Sequence, residues 1–126
     1  SLEGEFDSRC PICATKENTI DVIRKNMEAE GISFNTEELE PPHHVPADSD
    51  FVKTLLSAYE SYSGRKGECI AIGGGTYVHH LKNGVAFGAC LPETENHMHG
   101  PDEFAVVDEL LMSAKIFAQV IVDLCS

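Results

Sequence analysis

The chain has 126 residues, 42% of them hydrophobic and 24% charged, which is room for one domain or for two small lobes around a packed core. Its 21 acidic and 9 basic residues give a formal net charge of −12 at pH 7, and a surface this negative repels nucleic-acid phosphates and anionic membranes. We therefore expect neither nucleic acid nor a membrane as a partner. The sequence shows no run of about 18 apolar residues and no basic leader followed by an apolar stretch, which predicts a cytoplasmic protein.

The N-terminal part of the chain predicts a small β-α-β lobe. Residues 2–10 have the pattern of a short strand, and the helix predicted over residues 16–30 follows Thr15, a good N-cap. Gly31 suits the left-handed position after a helix, and "ISFNTEEL", residues 32–39, alternates like a second strand. Because the sequence begins inside the first predicted strand, we expect the chain to be a piece of a longer protein.

A linker separates two predicted domains. "EPPHHVPADS", residues 40–49, is rich in proline and polar residues, and proline both removes a backbone donor and restricts its neighbours. We place the boundary inside this linker. The predicted domains are then residues 1–44 and residues 45–126.

The second domain begins with a predicted helix and a hairpin. The helix starts at Asp48 or Ser49, ends at Gly64, and has an apolar face made of Val52, Leu55, Leu56 and Tyr59. "CIAI", residues 69–72, is typical of a short buried strand. The Asn83-Gly84 pair between "TYVHHL" and "VAFGACL" predicts a hairpin, since both residues tolerate positive φ.

A long C-terminal helix completes the predicted fold. Pro101 suits a first-turn position, and Asp102 and Glu103 suit the positive end of a helix. Apolar residues then recur at helical spacing, at Val106, Leu110, Ala114, Phe117, Ile121 and Leu124. The predicted fold class is α/β (α+β), a β-α-β half-domain followed by helix, strand, hairpin and helix.

The cysteines offer a first candidate for chemistry. Five cysteines is an odd number at irregular positions, so reduced thiols are expected instead of a disulfide framework. Cys10 and Cys13 form a Cys-x-x-Cys pair ahead of a helix, an arrangement that lowers a thiol pKa in thioredoxin-like redox proteins. The alternative is that both are small residues where a strand meets a loop.

The glycines and histidines are the other candidates. Three consecutive glycines before Thr76 let backbone amides approach a ligand closely, or form a tight turn. His79 and His80 lie on a predicted strand, where adjacent side chains point to opposite faces and cannot chelate one ion together. His97 and His99 stand in an acidic loop, where imidazole and carboxylate form an ordinary ligand set for zinc. A catalytic zinc site needs about three protein ligands, so this is a partial site.

From "AIGGGTYVHHLKNGVAFGACLPETENHMHGPDE" into its last helix, the chain resembles the C-terminal end of the dinuclear zinc dipeptidases of the peptidase V and carnosinase type. The shared features are a glycine-rich turn, a "GVAFGA" strand, a proline with a spacer, and a "MHxxxE" motif before the final helix. "DSRCP" is similar to the lid-domain strand that carries an arginine before a proline. The resemblance implies that residues 1–44 are the second half of a lid domain and residues 45–126 the C-terminal part of the zinc catalytic domain.

The resemblance also implies roles for individual residues. His99 matches the family's last zinc ligand, whereas His97 does not match. Arg9 matches the lid arginine that grips the substrate's C-terminal carboxylate, a role suited to the guanidinium fork. Glu103 stands at the family's acidic position four residues after the ligand, where it would buttress the histidine. The turn that lines the substrate site corresponds to Gly74, Gly75 and Thr76.

Two departures from the family pattern bear on function. Where many members have arginine soon after the glycine turn, this chain has His79, which changes the expected substrate preference. The family's His-x-Asp, bridging aspartate, Glu-Glu pair and further aspartate are absent from these residues. The resemblance implies that two zinc ions activate a water, with a glutamate as general base, to hydrolyse a dipeptide.

We therefore expect the isolated chain to be inactive and to bind zinc poorly. Two further hypotheses stay open at this point. One is a redox module that uses Cys10 and Cys13, and the other is a non-catalytic interaction domain that self-associates through an exposed former interface.

Overall fold

A computed structural model describes residues 2–35, 39–88, 90–95 and 97–126. The regular elements in these ranges are helices. A π-helical turn, Lys16–Ile20, runs directly into α1, Asp21–Ala29; α2 is Asp50–Ser63; a 3₁₀ turn covers Tyr77–His80; and α3 is Val107–Cys125. Within the same ranges, no helix has the length and apolar character needed to cross a membrane.

The predicted α/β class is wrong, because the residues that the structure describes contain no strand. Residues 2–10, 69–72 and the described part of the second hairpin arm are irregular backbone, and the first arm contains the 3₁₀ turn Tyr77–His80. Residues 36–38 and 89 of the predicted strands lie outside the described residues. A strand is completed only by hydrogen bonds to a neighbouring strand. The side chains of Ile70 and Ile72 are 82% and 59% exposed, so the predicted buried strand has no sheet around it.

By its contacts the chain divides into two units. The smaller unit is Ser1–His44 with Gly73–Gly75, and the larger is Val45–Ile72 with Thr76–Ser126. That these units are a lid half and a catalytic half stays a prediction.

The smaller unit is built around the helix that begins at Lys16. Thr15 is its N-cap, as predicted: the Thr15 hydroxyl accepts a hydrogen bond from the Asn18 amide at 3.3 Å, and Asn18 Oδ1 accepts one from the Thr15 amide at 2.8 Å. This reciprocal pair is a capping box with asparagine in the place of glutamate. Gly31 follows the helix with φ +74°, the left-handed conformation predicted for it. The rings of Phe6 and Phe34 stack with centroids 6.1 Å apart.

The larger unit is built around the contact between α2 and α3. The Ser49 hydroxyl caps α2 by accepting a hydrogen bond from the Val52 amide at 3.3 Å, and Gly64 ends the helix with φ +67°. Both ends agree with the predicted helix. The buried residues at the contact between the two helices are Leu55, Ala58, Ile116 and Val120. Phe87 adds to this core by packing edge-to-face on Phe117, with ring centroids 5.5 Å apart.

Helix α3 differs from its prediction in start and in buried face. It begins at Val107, six residues after Pro101, because Asp102 takes a left-handed conformation with φ +57° that no helix contains. The predicted apolar stripe is not the buried one. The stripe that faces α2 contains Ser113, Ile116 and Val120, whereas exposure is high for predicted stripe residues such as Leu110, Ile121 and Leu124. Helix α3 therefore has two apolar faces, and α2 covers one of them.

Removing the Thr15 cap should change the titration of Glu17. The pKa of the Glu17 carboxyl is lowered, first by a hydrogen bond from its own backbone amide and second by one from the Thr15 side chain. A lowered folded-state pKa adds stability above the usual carboxyl pKa, and this is lost as the pH falls through the folded value. We expect Thr15→Ala to raise the Glu17 pKa toward its usual value, as measured by NMR titration. Thr19→Ala is the matched control and should leave it unchanged.

The α2–α3 contact should dominate the stability of the larger unit. Leu55 is 5% exposed, so Leu55→Ala removes buried methyl groups and leaves a cavity. We expect it to lower the free energy of unfolding by about 2–4 kcal/mol, measured by urea denaturation followed by circular dichroism. Lys53→Ala on the exposed side of α2 should change it by less than about 0.5 kcal/mol. Equal effects of the two substitutions would contradict the packing described here.

Candidate functional site

The loop that carries His99 is a tight reverse turn. The Gly100 amide donates a hydrogen bond to the His97 carbonyl at 2.7 Å, so Met98 and His99 are the two central residues of the turn. The backbone is left-handed at His97, with φ +55°, and at His99, with φ +63°. The His97 ring packs edge-to-face on Phe104, with centroids 5.6 Å apart. The turn thus presents His99, which is exposed, at its corner.

His97 has a structural part in this loop. Sequence reasoning set it aside as a neighbour of the candidate ligand, yet its carbonyl closes the turn and its ring anchors it. The aromatic residue at Phe104 is the sequence signal that was missed. A second anchor is Thr94, whose hydroxyl donates to the Glu109 carboxylate in α3 at 2.5 Å. Thr94 thus contacts α3 on one side of the turn, and His97 contacts Phe104 on the other.

The described residues do not by themselves fit a zinc ion. Across the part of the chain that the structure describes, no group of three or more histidine, cysteine, aspartate or glutamate side chains could hold a metal. His99 and Glu103 are both exposed in the same loop. One imidazole and one carboxylate fall short of the three or four ligands that zinc sites use.

Arg9 and the glycine turn are brought together in the smaller unit. Arg9 Nε donates a hydrogen bond to the Gly73 carbonyl at 2.5 Å, although the two residues are 64 positions apart in sequence. Arg9 Nη1 also forms an ion pair with the Asp7 carboxylate. The Arg9 side chain is 60% exposed, so its guanidinium remains accessible to a ligand from solvent.

The two glycines after Gly73 leave open space beside this cation. A Cβ added at Gly74 or at Gly75 would meet no atom within 4 Å. Both residues are exposed. A guanidinium next to unobstructed backbone is an arrangement suited to a carboxylate, because the cation supplies charge and peptide N–H groups supply hydrogen bonds. Asp7 is the contact that sequence reasoning missed, and its place two residues before Arg9 in an extended segment was the available signal.

Thr76 and His79 belong to the larger unit. Thr76 is the N-cap of the 3₁₀ turn Tyr77–His80, and its hydroxyl accepts a hydrogen bond from the Val78 amide at 3.3 Å. His79 and His80 lie on this turn and not on a strand, so the argument that their side chains point to opposite faces is wrong. His79 contacts other groups in this structure. Its predicted effect on substrate preference stays a prediction.

The Cys-x-x-Cys pair lies at a turn before the first helix. The Ala14 amide donates to the Pro11 carbonyl at 2.9 Å, which forms a turn with Ile12 and Cys13 at its centre. Cys10 is half-buried, with its sulfur 3.6 Å from the Ser8 hydroxyl, and Cys13 is exposed. Both are free thiols. A depression of about 360 Å³ elsewhere in this unit is lined by Glu28 and residues 31–35 and includes none of the predicted site residues.

Comparison with known proteins identifies the family. Residues 6–123 match the peptidase family M20/M25/M40. The chain belongs to this family. The resemblance to dipeptidases that the sequence predicted is confirmed, since the M20 match covers nearly the whole chain and relatives carry dipeptidase names.

Three relatives show how the M20 chain compares with whole proteins. A Bacillus subtilis (strain 168) protein named "Putative dipeptidase YtjP" is 40% identical over 116 residues, which are 92% of this chain and 24% of the relative. A Staphylococcus epidermidis "Putative dipeptidase" is 36% identical over 109 residues, or 86% of this chain and 23% of the relative. The "Beta-Ala-Xaa dipeptidase" of Lactobacillus delbrueckii subsp. lactis is 42% identical over 85 residues, or 68% and 18%. This M20 chain thus spans a quarter or less of each relative's length.

Replacing Arg9 should change the hydrogen bonding of the glycine turn in the M20 chain. Arg9→Lys removes the Nε donor, so the Gly73 carbonyl loses its hydrogen bond. We expect the amide resonance of Gly74, on the same peptide group as that carbonyl, to move in a ¹H–¹⁵N NMR spectrum. Arg24→Lys is the matched control, because Arg24 pairs with Asp21 within the helical segment. If both variants leave Gly74 in place, the contact between Arg9 and the turn is absent in solution.

Proposed function

We propose that this chain is the C-terminal segment of a zinc metallopeptidase that hydrolyses dipeptides. The observation that carries the proposal is the M20/M25/M40 match over residues 6–123. The dipeptidase names of the relatives support dipeptides as the substrate class. Because the chain spans only about a quarter of those relatives, activity is proposed for the longer protein and not for this segment alone.

In this proposal the segment supplies one metal ligand, His99. The exposed imidazole at the corner of a fixed turn supports that role, since a ligand must be held in position before the metal arrives. Glu103 lies four residues later in the same loop and is proposed to accept a hydrogen bond from the imidazole and so orient it. The remaining ligands and the general base would come from outside these residues.

The segment also supplies the groups that bind substrate. Arg9 is proposed to pair with the C-terminal carboxylate of the dipeptide, since its guanidinium is accessible and is positioned by the Gly73 carbonyl and Asp7. Gly74 and Gly75 are proposed to line the site beside it, and Thr76, the next residue along the chain, is proposed to bind substrate as well. Binding the carboxylate would fix the far end of the substrate, so that the peptide bond is held at a constant distance from the reacting groups.

The experiment uses a chimera in which this chain replaces the matching segment of the Bacillus subtilis relative. We expect the purified chimera to hydrolyse β-alanyl or α-aminoacyl dipeptides, followed by amino-acid release. His99→Ala should lower its activity at least about 100-fold and reduce its zinc content measured by atomic absorption, because removing a ligand costs more than the 10–100-fold typical of a supporting group.

The matched control is His97→Ala, which changes the neighbouring imidazole in the same loop while keeping the backbone carbonyl that closes the turn. Because it also removes the ring that packs on Phe104, it should lower activity and zinc content, but much less than His99→Ala does. The isolated 126-residue chain should hydrolyse none of these dipeptides and bind no zinc at sub-micromolar concentration. Two results would contradict the proposed roles. One is dipeptide hydrolysis by the isolated chain, and the other is a chimera in which His97→Ala lowers activity and zinc content as much as is expected of His99→Ala.

A further inference from the structure

Helix α3 has a polar side and, beyond the face that α2 covers, a further apolar side. Its polar residues, Asp108, Glu109, Lys115, Gln119 and Asp123, gather on one side, and α2 packs beside them on Ser113, Ile116 and Val120. On the opposite side lies what we define as the outward face: Val107, Leu110, Leu111, Ile121, Val122 and Leu124. These six side chains are between 46% and 68% exposed. Phe117 lies on the same side and is the part of it that Phe87 contacts. A surface helix ordinarily has one apolar face, which packs on the core, so a second apolar face indicates a further contact.

The total exposed surface of the chain also indicates that part of it packs against another surface. The chain leaves 10227 Å² accessible, whereas a self-contained folded protein of 13.7 kDa exposes roughly 6,600 Å². Two separate folded units that share this mass would together expose roughly 7,900 Å², so the division into two units does not account for the difference. Obligate interfaces bury about 1,000–2,500 Å² on each partner, and the excess of roughly 2,300–3,600 Å² on this one chain reaches or exceeds that range.

We propose that the outward face of α3 is a docking surface for the remainder of the dipeptidase polypeptide. The relatives contain about four times the length of this chain, so most of the polypeptide that accompanies this segment in them has no counterpart here. The face itself carries no charge, and it fits an apolar surface of that remainder. The inference rests on the proposed function only in that this chain acts as one segment of such an enzyme.

A second copy of the chain is the competing occupant, and charge disfavours it. Each copy carries a formal charge of −12, so pairing two copies brings like charges together. In the proposed longer polypeptide a covalent link would instead hold that apolar surface to this segment and keep the two surfaces at a high effective concentration.

The test compares one substitution in two settings. In the isolated chain, Ile121→Asp should leave the thermal midpoint and helical content unchanged, since Ile121 is 63% exposed. In the Bacillus subtilis chimera, the same substitution should lower the thermal midpoint by at least about 5 °C, because it places a carboxylate in a buried contact. Lys115→Asp puts the same carboxylate on the polar side of α3 and should have little effect in either setting.

Each result decides the matter. A chimera that tolerates Ile121→Asp as well as the isolated chain does would overturn the proposal, and so would a chimera that fails to fold with unsubstituted α3. An isolated chain that sediments as a dimer at tens of micromolar, and becomes monomeric with Ile121→Asp, would assign the face to a second copy. A chimera that folds, loses stability with Ile121→Asp and hydrolyses no dipeptide would support docking while contradicting the proposed function.

Discussion

The larger unit depends on the apolar contact between α2 and α3. An isolated helix the length of α2, Asp50–Ser63, is marginal in water, and its stability comes from packing one face against a neighbour. Leu55 and Ala58 provide that face and meet Ile116 and Val120 of α3. The connecting segments, irregular as they are, attach to this pair through Phe87 and through the bond from Thr94 to Glu109. Without the helix pair, the His99 turn would have nothing rigid to be fixed to.

The features that the sequence predicts correctly are those determined by residues close together in the chain. Residue types alone predict the N-cap at Thr15, a cap at Asp48 or Ser49, the left-handed Gly31 and the helix end at Gly64, because each feature is satisfied by hydrogen bonds within a few positions. The strands were predicted from the same kind of local pattern and do not form, since a strand is completed by backbone partners far away in sequence. The run at residues 69–72 has such a local pattern, yet Ile70 and Ile72 are largely exposed and form no strand.

In the candidate site, too, the contacts between distant residues are the ones that the sequence does not predict. The contact between Arg9 and Gly73 joins residues 64 positions apart, and no periodicity or spacing in the sequence points to it. The resemblance singles out Arg9 and the residue type singles out the glycine run, but neither predicts the contact between them. The sequence does not reveal the roles of Asp7 and His97. Each acts by positioning a neighbour, and the type of a residue does not show that it has a positioning role. Helix α3 shows a related limit, since a pattern apolar on two faces cannot say which face is covered.

The reverse turn at His99 depends on Gly100 having no Cβ atom. A Cβ at Gly100 would lie 3.0 Å from the His97 carbonyl oxygen, closer than carbon and oxygen ordinarily approach. Any side chain at this position would push against the oxygen whose hydrogen bond closes the turn, and the corner would open. The orientation of His99 thus depends on Gly100, which has no side chain. An alanine at this position would misdirect the imidazole without removing any functional group.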